Sequence, residues 1–326
     1  MRGETNLTSQ FNNQASQFPL LMSENFMNLI KYRNLFFALS LVVIIPGIFA
    51  LSAWGLNLGI DFSGGTLWEI RFENTKNIEV QSFQEFLNGE GADVSQAAGT
   101  SDNSILIRIR TTDENKIQDI KKEIEIHYGL TEDLRLETVG PLISRELTQK
   151  ALLAVGLAII TIVLYVTWAF RKVPKPASPL AFGVCTIIAL VHDVILVIGV
   201  FAILGHFLNI EIDSLFITAL LTVIGFSVHD TIVVFDRIRE NLNKQSQMTF
   251  EMIINNSLLE TLARSLNTSL TAVFVLVALL IFGGESIKTF ILALLIGIIS
   301  GTYSSIFNAA PLLVIWNNIL AKRHSR

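Results

Sequence analysis

The sequence predicts a membrane all-α fold: a six-helix transmembrane bundle with an inserted extracytoplasmic α+β domain of ferredoxin-like β-α-β-β-α-β order. Three observations carry that prediction. The 326 residues are 51% hydrophobic and only 16% charged, with a mean hydropathy of +0.53, whereas a soluble domain carries about 25% charged residues. The apolar residues gather into six nearly uncharged runs, each close to the ~20 residues that cross a bilayer. Between the first two runs lies Gly55–Thr148, which holds 17 of the 28 acidic residues and 9 of the 24 basic ones, a net charge of −8.

Taken in order, residues 1–30 form a polar cytoplasmic arm, rich in Asn and Gln, whose composition predicts disorder. Within residues 31–54, Leu35–Trp54 is the first span. It is preceded by 34 residues and followed by no small-residue cleavage site, so it reads as a retained anchor and not as a signal peptide. Its Pro46-Gly47 pair predicts a kink, which neighbouring helices tolerate in a membrane. Residues 55–148 then alternate as a small domain does. The expected elements are a strand at Thr66–Phe72, a helix at Ile78–Leu87 and a weak strand at Asp93–Ala98. A strand at Ser104–Arg110, an amphipathic helix at Thr112–His127 and a strand at Leu134–Val139 complete it. Residues 149–318 hold the remaining spans, at Ala151–Phe170, Leu180–Phe207, Leu215–Phe235, Leu266–Phe282 and Phe290–Ile315. A cytoplasmic loop at 236–265 carries an amphipathic connector helix, Phe250–Leu262, lying at the interface. Residues 319–326 are a basic cytoplasmic tail.

Basic residues set the orientation. Lys31 and Arg33, then Arg171, Lys172 and Lys175, then Arg237, Arg239 and Lys244, then Lys322, Arg323 and Arg326 all fall on one side of the bundle. The opposite turns, His206–Ser214 and Gly283–Thr289, hold only Lys288. Both termini are therefore expected in the cytoplasm of a multi-pass protein. A formal charge of −4 and a pI near 5.8 lack the basic footprint of a nucleic-acid binder. A single cysteine, Cys185, excludes a disulfide framework and a multi-cysteine metal site. No cofactor and no metal are expected.

Charge inside a bilayer costs a few kcal/mol even on lenient scales, so polar residues within spans are where function is sought. Asp193 lies midway along the third span and Asp230 in the inner half of the fourth, each within a Val-His-Asp tripeptide that also supplies His192 and His229. On the fourth span Thr218, Thr222, Gly225 and His229 make a small and polar stripe, expected to face other helices, with Asp230 on its flank and Ser227 nearby. Asp230 reads either as an interhelical hydrogen bond or as a proton-binding carboxylate. Burial favours the neutral form of such a group and a nearby cation the ionised form, so a movable partner would switch it. Arg264, at the mouth of the fifth span, is the expected partner, since Asp230 lies ~8 Å deep by helical rise. Its other reading is a snorkelling anchor. Ser265, Asn267, Thr268 and Ser269 suit a hydrated path. Asp193 has no evident cation beside it and is expected to stay protonated. In the sixth span Gly297 and Gly301 form a close-packing GxxxG, followed by the polar Tyr303, Ser304, Ser305 and Asn308.

Two elbows flank the domain. GIDFSGGT at Gly59–Thr66 carries Asp61, Phe62, Gly64 and Gly65, and VGPLISREL at Val139–Leu147 carries Gly140 and Pro141. With DTIVVFDRIREN at Asp230–Asn241 and ETLARSLNTSL at Glu260–Leu270, these stretches resemble, in order and over residues 30 to 318, the SecF family of the bacterial SecD–SecF protein-export complex. That family belongs to the resistance-nodulation-division superfamily. The resemblance implies a pseudo-symmetric twelve-span unit with SecD that uses the proton-motive force to promote preprotein translocation across the plasma (cell inner) membrane. It implies the SecYEG channel, YajC and the translocating preprotein as further partners, and no enzymatic activity. It places Asp230 and Arg264 on the proton pathway, and Asp236, Arg237 and Arg239 in a structural or interfacial run. His229 departs from the family's usual asparagine and is expected to stand in for that amide as a neutral hydrogen-bonding side chain.

Two other functions fit the sequence less well. A small-molecule or lipid exporter of the superfamily usually has twelve spans in one chain and larger loops, whereas this sequence predicts six spans and one small domain. An intramembrane aspartyl protease would pair Asp193 with Asp230 as a dyad, but the GxGD sequence of that class is missing from Ser227–Asp230.

Overall fold

The computed structural model of the chain describes residues 28–73, 78–99, 103–245 and 247–324. Most of the polar arm read at residues 1–30 thus lies outside the described residues. At its end the expectation of disorder is corrected: Leu29–Tyr32 is a 3-10 turn with Leu29 and Ile30 buried. Their amides donate to the Asn255 side-chain oxygen at 2.8 and 3.4 Å. Two apolar side chains and two satisfied amides hold this segment to the helix that carries Asn255.

Six helices are long and apolar enough to cross a bilayer: Leu29–Trp54, Pro141–Ala169, Pro179–Leu208, Ser214–Lys244, Phe250–Phe282 and Ser286–Ile319. The third, fourth and sixth make the interior, while the first, second and fifth present mostly bare apolar faces. Several spans run further than their apolar runs. The second begins at Pro141, whose fixed φ suits the first helical turn, so Pro141–Thr148 belongs to a span and not to the small domain. Within the stretch expected as a cytoplasmic loop, 236–265, the connector helix Phe250–Leu262 is present, and helix extends beyond it on both sides of a short turn. The fourth span continues to Lys244, and after a short turn one uninterrupted helix of 33 residues runs Phe250–Phe282. That helix, ~50 Å long at 1.5 Å per residue, exceeds the ~30 Å hydrocarbon core, so it projects beyond the membrane. No Gly or Pro breaks it. Thr249 caps its start, and the hydroxyls of Ser257, Thr261, Thr268 and Ser269 accept this environment by donating to carbonyls one turn back.

Close packing is set by small residues. The first span is one continuous helix through Pro46, and Gly47 meets Gly199 of the third span: a Cβ on Gly199 would stand 2.6 Å from the Gly47 Cα. In the sixth span a Cβ on Gly301 would lie 3.0 Å from the Ser227 Cβ, and one on Gly297 would collide with Val223. The GxxxG face thus lies against the fourth span. Immediately beyond it, Ser305–Ala309 is a π-helical turn, a local widening that re-aims side chains.

Between the first two spans stands a four-stranded antiparallel sheet in the order β2-β3-β1-β4, with β1 Gly65–Phe72, β2 Val94–Gly99, β3 Ser104–Ile109 and β4 Thr131–Val139. Helices Val80–Gly89 and Glu114–Tyr128 fall between β1 and β2 and between β3 and β4. Alternation puts Trp68, Ile70 and Phe72 of β1 and Ile105, Ile107 and Ile109 of β3 among the buried residues. There they meet Phe83, Leu87, Ile117, Ile120 and Ile124 of the two helices. The second helix starts where Asp113 accepts from the Asn115 amide at 3.0 Å.

Candidate functional site

The small domain is seated on the short turn between the third and fourth spans. Leu58 forms a parallel bridge with Ile212, the Gly59 amide donates to Ile212 O at 2.7 Å, and the Ile212 amide donates to Asn57 O at 2.9 Å. A Cβ on Gly59 would stand 2.8 Å from Ile212 O, which is why glycine sits there. Gly64 and Gly65 have φ of 74° and 120°, the region open to glycine, and a Cβ on Gly65 would press on Ile109 O at 2.6 Å. Asp61 accepts from the Ser214 amide at 2.8 Å, adding a cap to the fourth span beside Asp213, which accepts from Phe216 N at 2.9 Å. Phe62 packs with the apolar cluster of the third, fourth and sixth spans. Gly140 caps the second span, and Gly64 lies beside Val139, Pro141 and Ser144, so the two elbows touch.

A buried ion pair completes the seat. Arg108 of β3 pairs with Glu211, and its Nη1 donates to Leu58 O at 3.4 Å while its Nε finds no partner. Burial lowers the Arg108 guanidinium to about 10, with Asp61 pulling the other way. Burial likewise pushes Asp213 above the ordinary carboxylate range, the N–H of Phe216 opposing and Asp61 adding.

Below the seat lie the two aspartates, each at most 2% exposed. Their surroundings differ. Asp193 Oδ1 accepts from Ser300 Oγ at 2.7 Å and faces His192 Nδ1 at 3.0 Å, while Oδ2 accepts from Ser227 and Ser304 Oγ, both at 2.6 Å. Four short contacts occupy its lone pairs. Asp230 is held loosely, with Ser269 Oγ and Thr302 Oγ1 each 3.3 Å from Oδ2 and His229 Nδ1 3.5 Å from Oδ1. Thr302 also meets Ser269 at 2.6 Å. The two networks share the fourth span, where Ser227 serves Asp193 and Thr231 meets Ser305 at 2.8 Å from the π-helical turn.

Of the residues singled out in the sequence, Asp193, Ser227, His229, Asp230 and Ser269 come together here. Arg264 and Thr268 do not. Arg264 is exposed and, among the described residues, forms no ion pair with Asp230. The helical period explains it: Thr261, Ser265 and Ser269 turn inward at steps of four, which leaves Arg264 about 100° round the helix. Thr268 spends its hydroxyl on Arg264 O at 3.0 Å. Asp193, expected to stay protonated for want of a cation, is surrounded by the hydroxyls of Ser227, Ser300 and Ser304 and by the His192 ring. The stripe Thr218, Thr222, Gly225 and His229 is not packed within this chain, and the His229 side chain is 64% exposed. Asp236 pairs with Arg239 at 2.6 Å, while Arg237 pairs with Glu240 at 2.5 Å and with Glu260 of the next helix. This run ties the two helix extensions together. Sequence reasoning missed Ser300, Thr302 and Thr231. Their signal was the interval of four from Ser300 to Ser304, on the helix that already bore GxxxG.

The family model for the C-terminal region of the protein export membrane proteins SecD/SecF matches residues 119–319, and that for the SecD/SecF GG motif matches residues 49–76. The chain is 49% identical over 302 residues to the protein translocase subunit SecF of Thermobaculum terrenum, covering 90% of this chain and 94% of that one. It is 37% identical over 298 residues to the protein translocase subunit SecDF of Bacillus subtilis, covering 90% of this chain but 38% of that one. Among solved structures, the crystal structure of SecDF from Thermus thermophilus, a translocon-associated membrane protein, is similar with a TM-score of 0.79 and 34% identity. That likeness covers 91% of this chain and 39% of the other.

Proposed function

This chain belongs to the SecF family of protein translocase subunits, and from that premise we propose that it couples the proton-motive force to preprotein translocation across the plasma membrane as one half of a SecD–SecF unit. Both termini are cytoplasmic in this reading, as the basic clusters require, and the sheet domain is a ferredoxin-like unit on the opposite side. Relatives that carry SecD and SecF in one chain support the pairing. So does the bare stripe Thr218, Thr222, Gly225 and His229 of the fourth span, together with Arg264, Asn267 and Thr268, which are exposed on the fifth. Such polar side chains suit a partner's helices better than lipid. SecYEG, YajC and the emerging preprotein are the further partners.

The observation that carries the proton reading is Asp230, buried to 2% exposure with contacts of only 3.3–3.5 Å. A carboxylate so loosely solvated changes protonation at small cost, unlike one whose lone pairs are filled. Asp230 parted from Arg264 corresponds to the proton-loaded state. Release of the proton toward the cytoplasm leaves an anion that draws Arg264 across, and the fourth and fifth spans repack. Because the fourth span starts in the turn that seats the domain, that repacking moves the domain, which then holds the emerging chain against backsliding. One charge crossing 100 mV supplies ~2.3 kcal/mol.

The test is proton-gradient-dependent completion of preprotein translocation in vesicles carrying this chain and SecD. Asp230→Asn abolishes the gradient dependence while the complex stays assembled. Retained dependence overturns the reading, and loss of the complex assigns Asp230 to helix packing.

A further inference from the structure

The sixth span sends side chains to both aspartates, and the third span's site has a feature that packing does not require. His192 is 9% exposed, its Nδ1 faces Asp193 at 3.0 Å, and its Nε2 is buried with no hydrogen-bond partner among the described residues. A buried polar atom left without a partner costs free energy, so an unpaired imidazole nitrogen invites a ligand. His192 borders an almost wholly apolar recess of about 350 Å³, walled mainly by Leu39, Val43, Leu196, Ile296 and Ile299.

We propose that His192 and Asp193 form a second proton-binding site of the bundle, with His192 Nε2 as the atom that takes up and gives back the proton. Four lone pairs of Asp193 are engaged by Ser227, Ser300, Ser304 and His192 Nδ1. A proton therefore cannot settle on the carboxylate without displacing a donor, and Nε2 is the vacant base. In the unloaded state Asp193 is an anion and His192 is neutral with its hydrogen on Nδ1. Uptake of one proton from a hydronium ion forms the Nε2–H bond, leaves a water molecule, and takes the pair from a charge of −1 to zero. The resulting imidazolium shares its Nδ1 hydrogen with the carboxylate. A metal cation fits poorly, because oxygens 2.6–2.7 Å apart leave no room for an ion among them.

Other groups facing His192 are accounted for. Tyr303 of the sixth span stacks on its ring at a centroid distance of 6.4 Å and donates its hydroxyl to Phe36 O at 2.7 Å. On the first span Ser40 is paired with Asn308 at 2.9 Å. On the fourth span the titratable groups that follow Ser227 are His229 and Asp230, two and three residues on. The inference rests on the proton-coupled reading of the bundle but uses residues that Asp230 does not touch.

The test uses the full chain with SecD in lipid nanodiscs, with ¹⁵N-labelled histidine read by solid-state NMR from about pH 5 to about pH 9. The His192 signal is the one lost in His192→Gln or, should that variant not assemble, the one kept when the other four histidines are replaced. It passes from the Nδ1–H neutral form to imidazolium on acidification, and Asp193→Asn weakens its proton uptake about tenfold or more. Ser300→Ala, which removes a donor to the carboxylate without touching the ring, changes uptake by a smaller factor. A signal that keeps one form throughout, that titrates identically in Asp193→Asn, or that answers to sodium at constant pH and not to pH overturns the proposal. These readings need no preprotein, so they fail or succeed separately from the Asp230→Asn translocation assay.

Discussion

Removing the Glu211 carboxylate tests whether the small domain is seated by the buried ion pair. In Glu211→Gln the Arg108 guanidinium, with 10% of its side chain exposed, loses its counter-charge and keeps neutral acceptors only, Leu58 O at 3.4 Å and the new amide oxygen. Stranding a fully buried charge costs about 3–5 kcal/mol. Asp61 still attracts Arg108, so the residual cost is set at about 2 kcal/mol, or roughly thirtyfold in an opening equilibrium. The reporters are the amides that close the seat: Gly59 to Ile212 O, Ile212 to Asn57 O, and Ser214 to Asp61. Hydrogen exchange followed by mass spectrometry of the full chain in detergent should show these segments exchanging about thirtyfold faster. The β3 amides, held on both sides by β1 and β2, should not change. The double variant Arg108→Met/Glu211→Gln leaves no buried charge and should return to within about threefold of wild type. Unaltered exchange in Glu211→Gln, or a double variant worse than the single, refutes the assignment of the pair as the fastening of the seat.

Three further outcomes follow from the packing and the charges. Gly301→Ala puts a methyl group 3.0 Å from the Ser227 Cβ and 3.1 Å from its Cα; overpacking of this kind costs about 1–3 kcal/mol, read as a lower unfolding temperature in detergent. Ser269→Ala removes a contact to Asp230, whereas Ser265→Ala removes a buried hydroxyl that has no partner; the first should alter the gradient dependence of translocation and the second leave it and stability within about 0.5 kcal/mol. Asp213→Asn keeps a cap for Phe216 N but removes an acid raised by burial. A raised acid favours the folded junction as pH falls through its folded value, and that advantage is lost as pH rises through it. The variant should therefore unfold at neutral pH no more easily than wild type, and thermal melts should lose the gain that wild type shows on acidification.

The six spans, the domain between the first two and the order of its strands and helices were legible because each rests on local pattern. Apolar length marks a span, alternation marks Trp68–Phe72, and helical spacing marks Ile117–Ile124. Asp193 and Asp230 stood out for the same reason, as charges in runs where each costs free energy. What pattern alone did not provide was a partner. Whether Arg264 meets Asp230 depends on which side of a long helix packs inward, and the intervals of four from Ser257 to Ser269 turned Arg264 out. The stretch 236–265 is a similar case: the connector helix expected at Phe250–Leu262 is present, but it runs without interruption into the fifth span, its hydroxyls bonding their own helix.

By itself, then, the sequence determined the bundle, its insertion and the two carboxylates, since burial cost and periodicity act residue by residue. Only the tertiary structure decided that Asp193 is saturated by Ser227, Ser300 and Ser304 while Asp230 is loosely held, and that the domain sits on the turn joining their spans. Those facts depend on how helices far apart in sequence approach, and glycines at 47, 199, 297 and 301 set that approach to within an ångström.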